Sequence, residues 1–253
     1  LSAAPSQSSE PELATMRARV EFSSEQEWEA FLSLLPDVDV MRTKPGIGAQ
    51  IITDAEQIDR LRGMGFTVVV EIPDLPSHYR SRMGRADFGD FHTWSEMVAV
   101  LDALHASYPS ITTDKISIGT SEEGRDIWAM KISDNPDTDE TEPEVLFDGM
   151  HHAREPMAME CILHYMQWLC DNYGTDPEAD YLIDNREIWF VPVVNPDGYV
   201  YNESVGWGTM WRKNRRVNGG SSCRGVDNNR NYDWEWGTTG ISFDPCNDVY
   251  CGT

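Results

Sequence analysis

The sequence predicts an α/β protein in two parts: a βαββαβ module over residues 15–72, and an α/β layer built on a largely parallel or mixed sheet over 88–253. Three observations carry this. Short apolar, β-branched runs alternate with stretches that open on helix-capping residues. A connector rich in proline and arginine, 73–87, interrupts that alternation. Beyond it the composition changes, yet strands and helices keep alternating, as layered α/β chains do.

Residues 1–14 are rich in Ser, Pro and Glu and are expected to be disordered. They carry neither an initiator Met nor an apolar signal core, so either a signal has been removed or the sequence starts inside its gene. Residues 17–22 read as a strand. Ser24 and Glu27 have capping-box spacing and open a helix to Leu35. Strands follow at 38–41 and 50–52, joined through Pro45-Gly46. Thr53 and Glu56 read as a second box, whose helix ends at Gly63 or Gly65, and 66–72 is an apolar strand. In the connector, Arg80, Arg82 and Arg85 offer sites to a trypsin-like protease; an arginine-rich linker or helix end would read the same way. Next come a helix at 93–107 with a box at Thr93 and Glu96, strands at 115–118, 127–132 and 144–147, a helix from Pro156 to Asn172, and a strand at 187–194 that ends in the turn signal Asn195-Pro196-Asp197-Gly198.

The charge narrows the partners. Among 253 residues, 43 are acidic and 20 basic, a net charge of −23, so nucleic acid and anionic membranes should be repelled. An acidic surface with few lysines also suits a salty medium. No apolar run reaches the length of a membrane span. Of the five cysteines, Cys161 and Cys170 lie on one predicted helix about 13–14 Å apart, too far to pair, and read as core residues. Cys223 and Cys246 flank a loop-rich segment and could pair, which favours export; Cys251 is left over. The acidic loop 134–142 has oxygens enough for calcium but lacks the glycine and spacing of an EF-hand, and a solvated loop explains it as well.

The densest chemistry is His152-Ala153-Arg154-Glu155, between the apolar strand Val145-Leu146-Phe147 and a helix opening at Pro156. At such a corner an imidazole and a carboxylate three residues apart can reach one metal ion. Both are ordinary zinc ligands, and a catalytic zinc takes three protein ligands and a water. By itself His-x-x-Glu occurs often by chance, and a satisfied core or surface histidine fits it too. Two further clusters, 211–216 and 225–231, concentrate scarce positive charge. They can form an anion pocket, since guanidinium grips carboxylate through two parallel hydrogen bonds, or an ordinary network of surface salt bridges.

Taken together, five stretches in order (118–125, 148–155, 195–199, 211–215 and 225–231) resemble the zinc metallocarboxypeptidases of the carboxypeptidase A type, especially secreted bacterial members. The likeness covers about 88–253, and 15–72 looks like that family's activation prodomain, with 73–87 as the segment cut on activation. The resemblance implies that His152 and Glu155 are zinc ligands and that Asp227 accepts the other ring N–H of His152. It implies that Arg215 polarises the scissile carbonyl, that Asn229 and Arg230 hold the substrate's terminal carboxylate, and that Arg154 and Arg212 line the approach for more distant substrate residues. Cys223 and Cys246 match a disulfide of several members. The expected protein is a secreted, monomeric zymogen that acts on peptide or protein C-termini after an activating protease has cut it.

One departure is large. The family's third zinc ligand, its capping tyrosine, its general-base glutamate and its specificity pocket lie further beyond Glu155 than Thr253 does. His78, His92 and His105 lie upstream, His164 is inside a helix, and His151 should point away from its neighbour. The 253 residues are therefore expected to be inactive or poorly folded alone. Two other readings remain open: a zinc deacylase of acylated amino acids on the same sheet, and a non-catalytic binder of peptide C-termini.

Overall fold

In the computed structural model, residues 15–34, 38–44, 47–75, 77–78, 91–205 and 210–253 are described. The N-terminal part runs β1 (Met16–Glu21), α1 (Glu25–Leu32), β2 (Asp39–Lys44), β3 (Gly48–Thr53), α2 (Ala55–Gly63) and β4 (Thr67–Ile72). Its strands pair antiparallel throughout, in the order β2-β3-β1-β4. The period-two alternation of a strand puts Ala18 and Val20 of β1 with Ala49 and Ile51 of β3 on one face. Phe31 of α1 and Ile58 and Leu61 of α2 close that face into a core. The βαββαβ order matches the sequence reading. One cap differs: Asp54, not Thr53, caps α2, accepting from the Gln57 N–H at 2.8 Å, because Thr53 is still the last residue of β3. Helix α1 stops at Leu32 with Ser33 as its cap, short of the expected Leu35. The expected disorder of 1–14, Leu35 itself, the Pro45-Gly46 turn and the connector residues Pro76, Arg80, Arg82 and Arg85 lie outside the described residues.

The second part contains α3 (Trp94–Ser107), β5 (Ile116–Thr120), β6 (Asp126–Ile132), β7 (Glu144–Asp148), α4 (Met157–Asn172), α5 (Pro177–Ile183), β8 (Glu187–Val191) and α6 (Pro196–Val205). The strand order is β5-β6-β8-β7. Only β7 and β8 run parallel, so the sheet is mixed. Strand β8 is apolar from Ile188 to Val191 because both its faces are covered. Met97, Leu101, Met159, Met166 and Phe190 form the centre of the core. Strand β7 forms one edge of the described sheet and is exposed throughout, Leu146 by 60%. Such an edge is an aggregation liability unless something covers it.

Three local readings change. The Asn195–Gly198 signal opens helix α6 rather than a turn, since Pro at a first helical position is pre-set for a helix. Consequently the strand before it stops at Val191. Helix α5 was not anticipated, although Asp176 caps it and Pro177 starts it. Cys161, expected in the core, is exposed on α4, while Cys170 and Cys251 are buried. Cys223 and Cys246 form a disulfide across 23 residues, worth about 3 kcal/mol by loop entropy.

A buried ion pair joins the middle of the sheet to the acidic loop. Lys131 donates to Glu187 at 2.8 Å and to the Thr138 carbonyl at 2.6 Å, with both charged side chains under 5% exposed. Replacing Lys131 with methionine would leave Glu187 buried with a charge and no cation. The expected loss is about 3 kcal/mol of stability, read by urea unfolding.

Candidate functional site

The site is built where β7 ends. Gly149 extends the β7–β8 pairing, donating to Val191 O at 3.0 Å and accepting from Val194 N at 2.9 Å. Met150 then takes φ = 58°, a left-handed conformation uncommon for a side chain of its size. This swings the chain off the sheet. Neighbouring amides pin the corner: Asn195 donates to His151 O at 3.1 Å, Asn202 donates to Ala153 O at 3.0 Å, and Ala153 N donates to Arg212 O at 3.0 Å. Gly198 must be glycine here, because a Cβ would lie 2.5 Å from Lys213 O and 2.8 Å from Ala153 Cβ.

At this corner His152 is held on both sides. Its Nδ1 lies 3.0 and 3.1 Å from the two Glu155 carboxylate oxygens, and its Nε2 lies 3.1 Å from Asp227 Oδ1. Asp227 is fully buried. Its Oδ1 also accepts from Asn229 N at 2.9 Å, and its Oδ2 accepts from Arg212 Nε and Nη2 at 3.1 and 3.0 Å. Burial would raise the Asp227 pKa, but the His152 hydrogen bond and the Arg212 charge outweigh it and hold it at about 2. Burial would lower the His152 pKa; its bonds to Asp227 and Glu155 raise it instead. Glu155 is exposed, and His152 keeps its pKa low despite partial desolvation.

These atoms suit a zinc ion. With Asp227 taking the Nε2 proton, Nδ1 presents a lone pair beside an anionic carboxylate. Two donors sharing a tetrahedral zinc with bonds of about 2.0–2.1 Å stand about 3.3 Å apart, close to the 3.0–3.1 Å found here. Among the described residues the clusters of three or more metal-ligating side chains lie elsewhere, at Asp134, Glu140 and Glu142 and at Asp139, Glu144 and Glu187. His151 turns away, its Nε2 2.5 Å from Tyr232 Oη.

The two basic clusters pair with each other. Asn214 N donates to Val226 O at 3.0 Å, and Gly225 N donates to Arg216 O at 2.8 Å. Gly225 has φ = 85°, and a Cβ there would stand 2.3 Å from Asn214 O. The short 3₁₀ turn Asn228–Arg230, capped by Asp227, ties the second cluster to the His152 corner. Asn229 and Arg230 line an open cavity of about 470 Å³ with Tyr232, Trp234 and Trp236, and Leu32 of α1 reaches its wall. Arg230 itself donates to Gly240 O at 2.6 Å and Asn229 O at 2.9 Å. Arg215 is 7% exposed and packs against aromatic rings.

Arg154 and Arg212 do not line an open approach in this structure. Both guanidinium groups are buried and meet Asp39 of β2, Arg154 by a hydrogen bond and Arg212 at 3.4 Å. Arg154 also binds Asp248 at 3.0 Å. The structure brings His152, Glu155, Asp227 and Arg212 together, and sequence reasoning did not name Asp39, Asn195 and Asn202 as partners. Asn195 lay inside a recognised motif. The other two had no local signal, since their partners are distant in the chain.

The comparisons with known proteins agree with this geometry. The zinc carboxypeptidase family model matches residues 97–253. A zinc carboxypeptidase of Saccharothrix mutabilis subsp. capreolus is 36% identical over 217 residues, covering 80% of this chain and 49% of the relative. Carboxypeptidase A2 of Rattus norvegicus is 33% identical over 239 residues, covering 94% and 51%. Among solved structures, carboxypeptidase A from Helicoverpa armigera is 26% identical with a TM-score of 0.74, over 96% of this chain and 63% of that one. The chain spans about half the length of the curated relatives it matches. With a family model covering more than half of its residues and relatives aligned along most of its length, the chain belongs to the zinc carboxypeptidase family.

Proposed function

We propose that the protein is a zinc-dependent exopeptidase that removes C-terminal residues from peptides and proteins and is secreted as a zymogen. The observation that carries this reading is the two-sided hold on His152: Glu155 at its Nδ1 and buried Asp227 at its Nε2. Bound zinc would supply Lewis acidity toward the scissile carbonyl. Asp227 keeps the His152 proton on Nε2, and Arg212 keeps Asp227 anionic. Arg215 places positive charge where an oxyanion develops. Asn229 and Arg230 receive the terminal carboxylate at the cavity, where a guanidinium fork offers two parallel donors that lysine lacks. His152 and Glu155 would be two of the three protein ligands that a catalytic zinc takes.

The N-terminal module acts as the prodomain. Its Asp39 contacts both arginines assigned to the substrate approach, and its Leu32 stands at the cavity wall, so the module covers the path a peptide would take. In the full-length proenzyme, Asp39→Ala is expected to raise hydrolysis before any cleavage by about tenfold, since it removes a charge-assisted contact. Unchanged latency, measured on a chromogenic C-terminal peptide, would count against this contact as the latch.

The disulfide favours secretion, and no helix among the described residues is long and apolar enough to cross a membrane. Assaying the full-length protein on free C-terminal peptides and on acylated single amino acids separates an exopeptidase from a deacylase. Hydrolysis of the acylated amino acids alone would overturn the proposal, as would binding of peptide C-termini without hydrolysis or zinc.

A further inference from the structure

We infer that Tyr232 is a substrate-contacting residue of the cavity and that His151 is its positioning residue, a tie between the metal corner and the carboxylate clamp. The inference rests on the proposed function, which gives the cavity to the substrate's last residue. Tyr232 lines that cavity together with Asn229 and Arg230. Its hydroxyl oxygen lies 2.5 Å from His151 Nε2, so the two share a hydrogen bond whichever of them carries the proton. Their rings stand 5.8 Å apart at 46°. His151 adjoins His152, and Tyr232 follows shortly after Arg230. One side chain thus spans from the corner that would hold the metal to the groups that would hold the terminal carboxylate. The scissile bond and the last residue must lie in that interval.

The exposure of Tyr232 separates this role from packing. A tyrosine offers an apolar ring and one polar handle. Here the handle is bound at His151, while the residue as a whole stays 54% exposed. A ring that open adds little to a core, yet it is tethered. Trp236 repeats the arrangement: its Nε1 donates to Cys251 O at 3.1 Å, and it too lines the cavity. A side chain ordered before binding loses less freedom when the substrate arrives, an advantage of about two- to tenfold in affinity.

Both ends of the tie start from pinned backbone. On one side, the His151 carbonyl accepts from Asn195 Nδ2 at 3.1 Å, at the start of helix α6. Asp148, the last residue of β7, places Oδ2 3.6 Å from the same His151 Nε2, beyond hydrogen-bond length, so the ring is bonded to Tyr232 rather than to the carboxylate. On the other side, Asn231 Nδ2 donates to Cys251 O at 2.5 Å and fixes the residue before Tyr232. A terminal residue entering the cavity therefore meets a wall whose position is set from two elements.

The test uses the full-length enzyme and a free C-terminal peptide that the parent hydrolyses. Tyr232→Ala should raise KM about tenfold and leave kcat within about threefold, because bound substrate and transition state make the contact alike. Tyr232→Phe keeps the ring and loses the tie, so KM should rise about threefold. His151→Ala should match it, and the pair Tyr232→Phe with His151→Ala should lose no more than either alone. The urea midpoint and zinc content of both Tyr232 variants should equal the parent's. An unchanged KM in Tyr232→Ala, additive losses in the pair, or a KM loss matched by a shifted urea midpoint would overturn the inference. Arg230→Ala is the control for the reading beneath it. If KM rises there and not in Tyr232→Ala, this inference alone fails; if it rises in neither, the cavity does not hold the substrate and the assignment of the clamp fails with it.

Discussion

Replacing Asp227 with alanine is expected to destabilise the chain by about 3–5 kcal/mol and, in the full-length protein, to weaken zinc binding by about 10- to 100-fold. The carboxylate is fully buried and serves three partners: His152 Nε2, Asn229 N and the Arg212 guanidinium. Removing it leaves Arg212, itself 4% exposed, without its closest anion, and frees the His152 tautomer. Urea unfolding reads the first effect and a zinc competition titration the second. The pH dependence follows the same group. Its folded pKa of about 2 lies below the ordinary 3.8, so its contribution is present above about pH 3.8 and is lost as pH falls toward 2. Over that range it amounts to about 2 kcal/mol. His152 runs the other way: its pKa is raised, so its bonds to Asp227 and Glu155 stabilise the metal-free chain below about pH 6.5 and are lost as pH climbs through the raised value. Zinc must displace that proton, so metal affinity should fall on acidification. Equal stability of the parent and Asp227→Ala at pH 7 would contradict the central place given to this carboxylate.

Arg215→Ala in the full-length enzyme is expected to lower kcat by about 100- to 1,000-fold with little change in KM, the cost typical of losing one oxyanion donor. The side chain is buried and packs against the rings of Tyr201 and Trp211. A purely structural arginine in this position would instead shift the unfolding midpoint and leave kcat per folded molecule alone. Measuring both quantities on one preparation separates the cases. Arg230→Ala should do the opposite, raising KM because it removes a contact made equally by the bound substrate and the transition state.

Much of the frame was legible because its signals are local. Capping residues at Ser24 and Thr93, the β-branched run of β4 and the apolar run of β8 each fix an element through a few neighbouring side chains. The closeness of His152 and Glu155 was legible for the same reason, since the two share one corner. What failed was either short or distant. Helix α5 has only seven residues, too few for a clear period. Asn195 to Gly198 carries turn residues that also suit a helix start, and packing against the 211–216 segment decides the outcome. The partnership of Asp39 with Arg154 and Arg212 joins residues over a hundred positions apart, and nothing local in β2 announces it. The resemblance cast Arg212 as a substrate contact; the structure adds that it neutralises Asp227.

Zinc content tests the account most directly. The full-length protein, purified without chelator and analysed by atomic emission, should carry stoichiometric zinc, and His152→Ala and Glu155→Ala should each lose most of it while keeping the parent's circular dichroism. Zinc retained at the parent level in both variants, or a folded parent free of zinc, would contradict the claim that these two side chains share one metal ion.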